Sequence, residues 1–264
     1  MDLNKLWIQK VLLNLKRIKG LYRLNAGYCS ICMGHTLFVS FDPWLRDSYR
    51  CVRCLSIPRQ RALINALKIY FPQWMTATIH ESSPGGAAAS MIKKKCAHYS
   101  SSQYFPEITP GSYVTGIRCE NLETLTYSCN CFDIFITQDV LEHVFNPKKV
   151  FQEIERVLKP GGIHIFTVPV AFEKDQTEQR AFLHNNTLTH IKSPEYHKNP
   201  VDQKGSLVTF DYGRDLPFLI DEWSGLKTIV FLNQDRREGL DGTYLEVYIS
   251  RKNSCNMLIN DGFE

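Results

Sequence analysis

Four cysteines are arranged as two pairs, Cys29 with Cys32 and Cys51 with Cys54, and each pair has two residues between its members. A C-x-x-C turn places both thiolates on one side of a knuckle, and two knuckles complete the tetrahedral shell that zinc prefers. Because four protein thiolates leave no position open for a substrate, the predicted zinc ion is structural. Four free or redox-active cysteines are the alternative, which two pairs at this spacing disfavour.

A second group with chemical potential consists of Asp139, Glu142 and His143. These residues share one helix face if a helix begins at Asp139. Two carboxylates and an imidazole are suitable ligands for a divalent cation, which would acidify a bound hydroxyl. We favour the alternative, a structural helix start in which Asp139 caps the helix and His143 lies at the edge of a site. Without a metal, Asp139 or His143 could act as the general base.

The charge of the chain is distributed unevenly. The 264 residues carry a formal charge of +4, but residues 1–76 hold twelve Lys and Arg against three Asp, which is +9. Residues 77–264 hold 19 basic and 24 acidic side chains, which is −5. A zinc ion with four thiolates has a net charge of −2 and lowers the first value to about +7. The sequence therefore predicts a basic N-terminal module joined to a mildly acidic main domain.

Composition excludes several classes of protein. At 44% hydrophobic and 22% charged residues, the chain can bury a core and is not disordered as a whole. No stretch approaches the ~18–20 apolar residues of a membrane span. The first twenty residues interleave lysines with apolar side chains and so lack the order of a signal peptide. We therefore expect a cytoplasmic protein with reduced cysteines.

The chain before the first cysteine predicts an amphipathic helix with a basic face, within residues 1–27. It either packs on its own domain or contacts an anionic membrane surface or a partner groove through residues 1–24. A zinc-binding module and a connecting helix, over 56–71, are predicted within residues 28–76. The apolar stripe of the first helix consists of Leu3, Trp7, Val11, Leu15, Ile18 and Tyr22.

From residue 77 onward, strand-like and helix-like segments alternate, which is typical of an α/β sheet protein. The first strand, a Gly-containing turn and a helix follow one another, an arrangement that brings backbone N–H groups close to a polar cofactor. Strands are predicted at 77–81, 98–104, 113–118, 131–137 and 163–168, and helices at 87–95 and 147–158.

The run FDIFITQDVLEHVFNPKKVFQEIERVLKPGGIHIFTVP, residues 132–169, resembles class I methyltransferases of the type 11 kind, which depend on S-adenosylmethionine (SAM). The resemblance covers about residues 77–250. It implies a Rossmann-like α/β fold with a seven-stranded sheet whose last strand is antiparallel. The domain would span residues 77–252, with an acceptor-site insert at about 171–227 and a tail at 253–264. The final hairpin would pair 228–232 with 243–251 and place Asp241 and Gly242 in its turn.

The resemblance also implies which residues hold SAM. Ser83 and Ala87 stand where the family has glycines, and the family's acidic ribose ligand has no clear counterpart. Some relatives with a Glu-x-x-Glu-His run hold a divalent cation, which here would fall on Asp139, Glu142 and His143. The expected cofactor residues are Glu81, Ser83, Gly85 and Gly86 after the first strand, Ser102 and Gln103 after the second, Glu120, Asn121 and Leu122 after the third, and Gln138 after the fourth.

These features indicate a SAM-dependent methyltransferase that acts on oxygen or nitrogen of a polar acceptor, in the first place a sugar, a glycan or another small molecule. Residues of the insert that could line the acceptor pocket are His184, His190, Tyr196, His197, Asp211 and Tyr212.

Two alternatives are open. In one, the zinc module presents basic side chains to RNA phosphates and the acceptor is RNA. In the other, the methyltransferase domain is catalytically decayed and serves as a binding protein. The basic side chains at issue are Arg46, Arg50, Arg53, Arg59 and Arg61.

Overall fold

The structure is a computed structural model that describes residues 19–185, 187–198 and 204–254. Most of the predicted amphipathic helix, residues 1–18, lies outside the described residues. The sequence predicts Gly20 or Gly27 as the end of this helix, and the later end is wrong because the first strand already begins at Arg23. Within the described part of the chain, no helix is long and apolar enough to cross a bilayer.

The cysteine module is a small antiparallel sheet followed by a helix. Two of the four cysteines end strands, and the others follow in tight turns, so the sheet brings both knuckles to one edge. The predicted connecting helix is confirmed, with Pro58 in its first turn. The elements are β1 (Arg23–Cys29), β2 (Gly34–Ser40), α1 (Leu45–Ser48), β3 (Arg50–Cys51) and α2 (Pro58–Tyr70).

The main sheet has eight strands. In chain order they are β4 (Thr78–Ser82), β5 (His98–Gln103), β6 (Tyr113–Val114), β7 (Ile117–Cys119), β8 (Phe132–Gln138), β9 (Leu158–Thr167), β16 (Lys227–Phe231) and β17 (Val247–Arg251). Their spatial order is β16-β17-β9-β8-β4-β5-β7-β6. Strands β9, β8, β4, β5 and β7 are parallel to one another, and β17 is antiparallel to β9.

This topology confirms the predicted Rossmann-like sheet with an antiparallel last strand. The one difference in strand number is at residues 113–118, which form a short hairpin of β6 and β7 and not one strand. The predicted helices are α3 (Gly86–Lys95) and α4 (Pro147–Val157). Because α3 follows β4 directly, the turn between them lies at the carboxyl edge of the parallel strands.

The module and the main sheet share one hydrophobic core. Phe38 of the module and Leu63 of α2 are fully buried in the same cluster as Ile79 and Ile134 of the sheet. Each such side chain stabilises the fold by roughly 1.5–3 kcal/mol. The cysteine module is therefore packed into the main domain and is not a separate unit on a linker.

The region predicted as an insert contains short strands and one helix. The strands are β10 (Glu178–Gln179), β11 (Ala181–His184), β12 (Thr187–His190), β13 (Tyr196–His197), β14 (Ser206–Leu207) and β15 (Phe210–Asp211), and the helix is α5 (Leu216–Ser224). Helix α5 packs with α4 on the sheet face opposite the module.

The predicted hairpin of β16 and β17 is confirmed, and Asp241 and Gly242 lie in the connection between them, although β17 begins at Val247 and not at residue 243. The connection contains a 3₁₀ turn, Arg236–Glu238, and folds back onto the module. The Asn25 amide donates to the Arg236 carbonyl at 2.6 Å, and Arg61 donates to the Gly239 carbonyl at 2.6 Å. These contacts hold the loop between β16 and β17 against the module.

Candidate functional site

The four cysteine thiols of the module converge on one point. The Sγ atoms of Cys29 and Cys54 are 3.7 Å apart, and those of Cys32 and Cys51 are 3.9 Å apart. All four sulfur atoms lie within 4.8 Å of one another. A tetrahedral ion with Zn–S bonds of ~2.3 Å requires sulfur atoms about 3.8 Å apart. The donor set and its spacing therefore fit a structural zinc ion.

A buried arginine, Arg61, lies beside this sulfur cluster. It is fully buried, and it donates to the carbonyl oxygens of Ser56, Tyr49 and Gly239. Burial lowers the pKa of Arg61 to about 10, while the neighbouring cysteines oppose that shift. A buried cation is stable only beside negative charge or strong acceptors. Thiolates bound to zinc would supply that charge.

A large cavity, about 1530 Å³, opens at the carboxyl edge of the sheet. One side of it is formed by the turn after β4 and by residues that follow β5, β7 and β8. The opposite side comes from residues of the segment 171–227, which the sequence predicts as an acceptor-site insert. A third wall belongs to the cysteine module, which contributes Trp44, Arg46, Asp47, Arg50, Arg59 and Gln60.

The turn after β4 is shaped for close approach by another molecule. Ser83 has a φ of +54°, the left-handed region that favours glycine, and its N–H donates to the Ser102 carbonyl at 2.8 Å. A side chain added at Gly85 would meet nothing within 4 Å and would project into open space. Gly86 has a φ of +69° and packs against the Gln60 amide. Ser83 thus adopts the backbone conformation that the family's glycine would provide.

Glu81, the acidic residue at the end of β4, is fully buried below this turn. It accepts hydrogen bonds from the Tyr99 hydroxyl and the Gln138 amide, both at 2.8 Å. Burial raises the pKa of Glu81 to about 7, and the two hydrogen bonds partly oppose that shift. Glu81 does not line the cavity but positions Gln138, which does.

The buried carboxyl group predicts a pH-dependent stability. Between the ordinary pKa of 4.5 and about 7, the folded chain holds a proton on Glu81 that the unfolded chain releases. The free energy of unfolding should therefore fall by up to about 3 kcal/mol across this range for this group alone. In Glu81→Gln this component is absent, so denaturant unfolding of the variant should lose less stability from pH 5 to 8. Parallel stability curves for the two proteins would contradict the assignment.

Other predicted cofactor residues divide into two groups. Gln103, Asn121 and Leu122 line the cavity. Ser102 and Glu120 are buried and do not line it. Ser102 bonds to the ring of His80 at 3.0 Å, and Glu120 accepts hydrogen bonds from Arg118 and Thr126. These two residues support the strand ends from inside the sheet.

Asp139 is placed differently from its prediction. It has a φ of +53° and precedes a 3₁₀ turn, Leu141–His143, so no helix begins there and it shares no helix face with Glu142. Arg46 donates two hydrogen bonds to its carboxylate, at 2.8 and 2.9 Å, and Arg59 lies 3.2 Å away. The Thr167 hydroxyl also donates at 2.8 Å. Although burial opposes ionisation, the two arginines hold the pKa of Asp139 below its usual value, which disfavours a general base.

Glu142, His143 and His197 form the compact cluster that Asp139 does not join. Their ligand atoms lie within 4.8 Å of one another. Glu142 is 2% exposed, and neither of its oxygens accepts a hydrogen bond from the described residues. Its Oε1 is 3.6 Å from His197 Nδ1 and 3.8 Å from His143 Nε2. The proximity of Glu142 raises the pKa of His197.

The hydrogen bond on the far side of His143 defines its tautomer. Its Nδ1 lies 2.8 Å from the Leu207 carbonyl oxygen, which only accepts, so Nδ1 carries the proton. In the neutral ring, Nε2 then directs its lone pair toward the buried carboxylate. Two acceptors facing each other require a cation or a proton between them. A backbone carbonyl behind an imidazole is also the usual support of a metal ligand.

Most of the insert residues that the sequence offers for the acceptor pocket contact other parts of the protein or lie away from the cavity. Asp211 forms ion pairs with Lys174, Arg180 and Lys192, and the Tyr212 hydroxyl donates to the Leu141 carbonyl at 2.9 Å. His184 and His190 lie on the β11–β12 hairpin and do not line the cavity. Of the six insert residues considered, Tyr196 and His197 line it.

Residues of the cysteine module are the part of the site that sequence reasoning missed. The sequence offers Arg46 and Arg59 as candidates for RNA contacts, and it gives no signal for Gln60. Arg46 and Asp139 are 93 positions apart. The sequence signal for these residues is the excess of Lys and Arg in the module, which does not tell which of their side chains face the cavity.

Comparison with known proteins agrees with this topology. Residues 86–166 match the family model Methyltransf_11, described as a methyltransferase domain. The chain is also 30% identical over 104 residues to a glycine/sarcosine/dimethylglycine N-methyltransferase from Actinopolyspora halophila. That match covers 39% of this chain and 17% of the relative, so the chain spans about a sixth of its length.

Several solved structures are similar to this chain at low sequence identity. One is a SAM-dependent methyltransferase from Mesorhizobium loti, 16% identical, with a TM-score of 0.48 over 72% of this chain and 98% of that one. Another is a SAM-bound amino pentose methyltransferase from Micromonospora echinaspora, 11% identical, with a TM-score of 0.46 over 72% of this chain and 88% of that one.

Proposed function

We propose that the protein transfers the methyl group of SAM to an oxygen or nitrogen atom of a small polar acceptor, in the first place a sugar or glycan precursor. One observation carries this proposal. A single cavity at the carboxyl edge of the sheet joins an open glycine turn to a wall that bears imidazole groups. Methyl transfer needs two reacting atoms aligned in a dry site, and proximity supplies most of its rate.

The donor side of the cavity fits SAM. Ser83, Gly85 and Gly86 would contact the methionine part, because all three line the cavity and a side chain at Gly85 would project into open space. Asn121 and Leu122 would contact the adenine, and Gln103 takes the place nearest the ribose. The family's acidic ribose ligand is replaced by this amide, which can still donate to and accept from hydroxyl groups.

The acceptor side combines aromatic and polar side chains. Trp44 and Tyr196 line the cavity with side chains that are 49% and 52% exposed. The ring centroids of Trp44 and Tyr244 are 6.2 Å apart. Flat aromatic faces beside hydrogen-bonding groups suit the apolar faces and hydroxyl groups of a sugar ring. The N-methyltransferase relative is named for small acceptors, which also supports a small molecule.

We also propose a divalent cation at Glu142, His143 and His197, in place of the set that included Asp139. One carboxylate and two imidazoles fit a first-row metal, and the buried Glu142 carboxylate, which accepts no hydrogen bond within the described residues, faces both imidazoles. When bound, such an ion would lower the pKa of an acceptor hydroxyl. The hydrogen bond from His143 Nδ1 to the Leu207 carbonyl orients the His143 ring for this role. The His197 ring lies at the cavity wall.

The four-cysteine cluster is proposed to hold structural zinc. A cytoplasmic location stays a prediction. Contact of residues 1–24 with a membrane surface stays a prediction.

The direct test is binding of S-adenosylhomocysteine (SAH), the product of the donor, measured by calorimetry. We expect one site per chain. Gly85→Ala should weaken SAH binding by about 1–3 kcal/mol, because its methyl group occupies space that the ligand needs. Its stability should be unchanged, since the backbone is extended and the added atom meets no protein atom. By contrast, Gly86→Ala should unfold more easily because of its positive φ. Failure of the native chain to bind SAH would favour the decayed binding protein.

The structure gives little support to the RNA alternative. Three of the five arginines considered for phosphate contacts have partners inside the protein: Arg46 and Arg59 bind Asp139, and Arg61 is buried. Phosphate binding requires exposed cations along one face. Arg46 and Arg59 are therefore directed toward the cavity, and Arg61 toward the sulfur cluster, while Arg50 and Arg53 are exposed.

A further inference from the structure

We propose that the cysteine module completes the SAM site, with Arg59 binding the carboxylate of the donor's methionine part. This inference rests on the proposed function. It assigns the residue that binds the SAM carboxylate to the cysteine module and not to the main sheet. SAM ends in an amino acid group with a full negative charge on its carboxylate. A guanidinium group is the side chain best suited to bind a carboxylate.

The first support is contact between the module and the glycine turn. Gln60, the residue after Arg59 on α2, donates its side-chain amide to the Gly85 carbonyl at 3.4 Å. Its amide also occupies the space that a side chain on Gly86 would need. Helix α2 therefore lies directly against the turn where the methionine part is expected.

The second support is the position of Arg59 between two strand ends. Its Nη1 is 3.2 Å from Asp139, which follows β8, and β8 pairs with β4 below the glycine turn. Its Nε is 3.3 Å from Asp47. These two contacts use two of the five guanidinium N–H groups. The side chain is 21% exposed and lines the cavity, so the remaining donors can reach a ligand.

Arg46 differs from Arg59 in a way that separates their roles. Its side chain is 6% exposed, it donates twice to Asp139, and its Nε donates to the Tyr244 carbonyl at 3.3 Å. Arg46 is therefore a positioning residue that fixes Asp139. Because Arg46 donates twice to Asp139, the contact of Arg59 with that carboxylate is a single ion pair through Nη1.

The third support is the start of α3. Gly85 precedes the helix and no side chain caps it, so the first N–H groups of α3 are available to an anion. A carboxylate between this helix end and Arg59 would receive hydrogen bonds from both sides.

The test compares two ligands that differ in the amino acid part. SAH carries the carboxylate, and 5′-methylthioadenosine keeps the adenosine and sulfur but lacks it. In the zinc-loaded full chain, Arg59→Met should weaken SAH binding about 10- to 100-fold, the loss typical of a hydrogen bond between charged partners. Binding of 5′-methylthioadenosine should change by less than about twofold. Arg59→Lys should recover part of the affinity, because it keeps the charge but not the planar fork.

The matched control is Arg53→Met, which removes an exposed arginine of the same module that does not line the cavity. It should leave the affinities for both ligands unchanged. An equal loss of both ligands in Arg59→Met would overturn the inference, since it would indicate a distorted cavity. Unchanged SAH binding would overturn it as well. If the native chain binds neither ligand, the proposed function fails and takes this inference with it.

Discussion

Cys51→Ser is expected to abolish both zinc retention and SAH binding. Cys51 is fully buried at the end of β3 and provides one of the four converging thiols. Structural zinc in small modules contributes roughly 10–16 kcal/mol of apparent binding free energy, as much as the whole stability of many domains. Without the ion, the buried Arg61 lacks the negative charge of zinc-bound thiolates. The two C-x-x-C turns are then no longer held together, and the small sheet of the module is destabilised.

The effect should reach the cofactor because the module and the sheet share a core. Loss of the module's structure would withdraw Arg59 and Gln60 from the glycine turn and expose Leu63 and Ile79. Zinc per chain can be measured by elemental analysis, and SAH affinity by calorimetry. Cys129→Ser is the control, because Cys129 is exposed and lies outside the sulfur cluster. A zinc-free Cys51→Ser protein that binds SAH normally would show that the module is dispensable for the donor.

Glu142→Gln is expected to remove the divalent cation and, with it, most of the catalytic rate. The substitution keeps the shape of the side chain but removes the charge that faces His143 and His197. Loss of a metal or of an acid–base group usually lowers the rate by about 10²–10⁴-fold. Mn²⁺ is a suitable probe because it prefers oxygen and nitrogen ligands and competes poorly for thiolates.

Binding of Mn²⁺ can be followed by electron paramagnetic resonance, without knowledge of the acceptor. The native, zinc-loaded chain should bind one Mn²⁺, and both Glu142→Gln and His197→Ala should weaken binding by at least about tenfold. His184→Ala is the matched control, since His184 belongs to the same insert but lies outside the cavity. Equal Mn²⁺ affinity in the native chain and in Glu142→Gln would exclude the metal assignment.

The sequence was sufficient for the order of elements and for the sulfur cluster. Regular alternation of apolar segments predicted the parallel strands, and the C-x-x-C spacing predicted four thiols at one point, because both depend on local geometry. The turn after β4 was also predicted, although Ser83 and Ala87 depart from the family pattern. At Ser83 the backbone keeps a conformation that serine rarely adopts.

The sequence was not sufficient where distant segments decide the outcome. The helix expected at Asp139 is replaced by a left-handed residue and a 3₁₀ turn, and Arg46, 93 positions away, holds that carboxylate. His197 joins Glu142 because the β13–β14 pairing brings it to the cavity, which spacing alone does not reveal. A tertiary contact overrode the local preference in both places.

The bond from Arg61 to the Gly239 carbonyl spans 178 positions of sequence. It joins the part of the chain that a ribosome makes early to a loop that it makes late. The interior of the module therefore stays incomplete until the segment before β17 has been synthesised. Contacts of such long range slow folding, since a large loop must close before they form. An isolated N-terminal fragment should accordingly bind metal without acquiring a rigid structure, and the order of synthesis makes donor binding a late event in maturation.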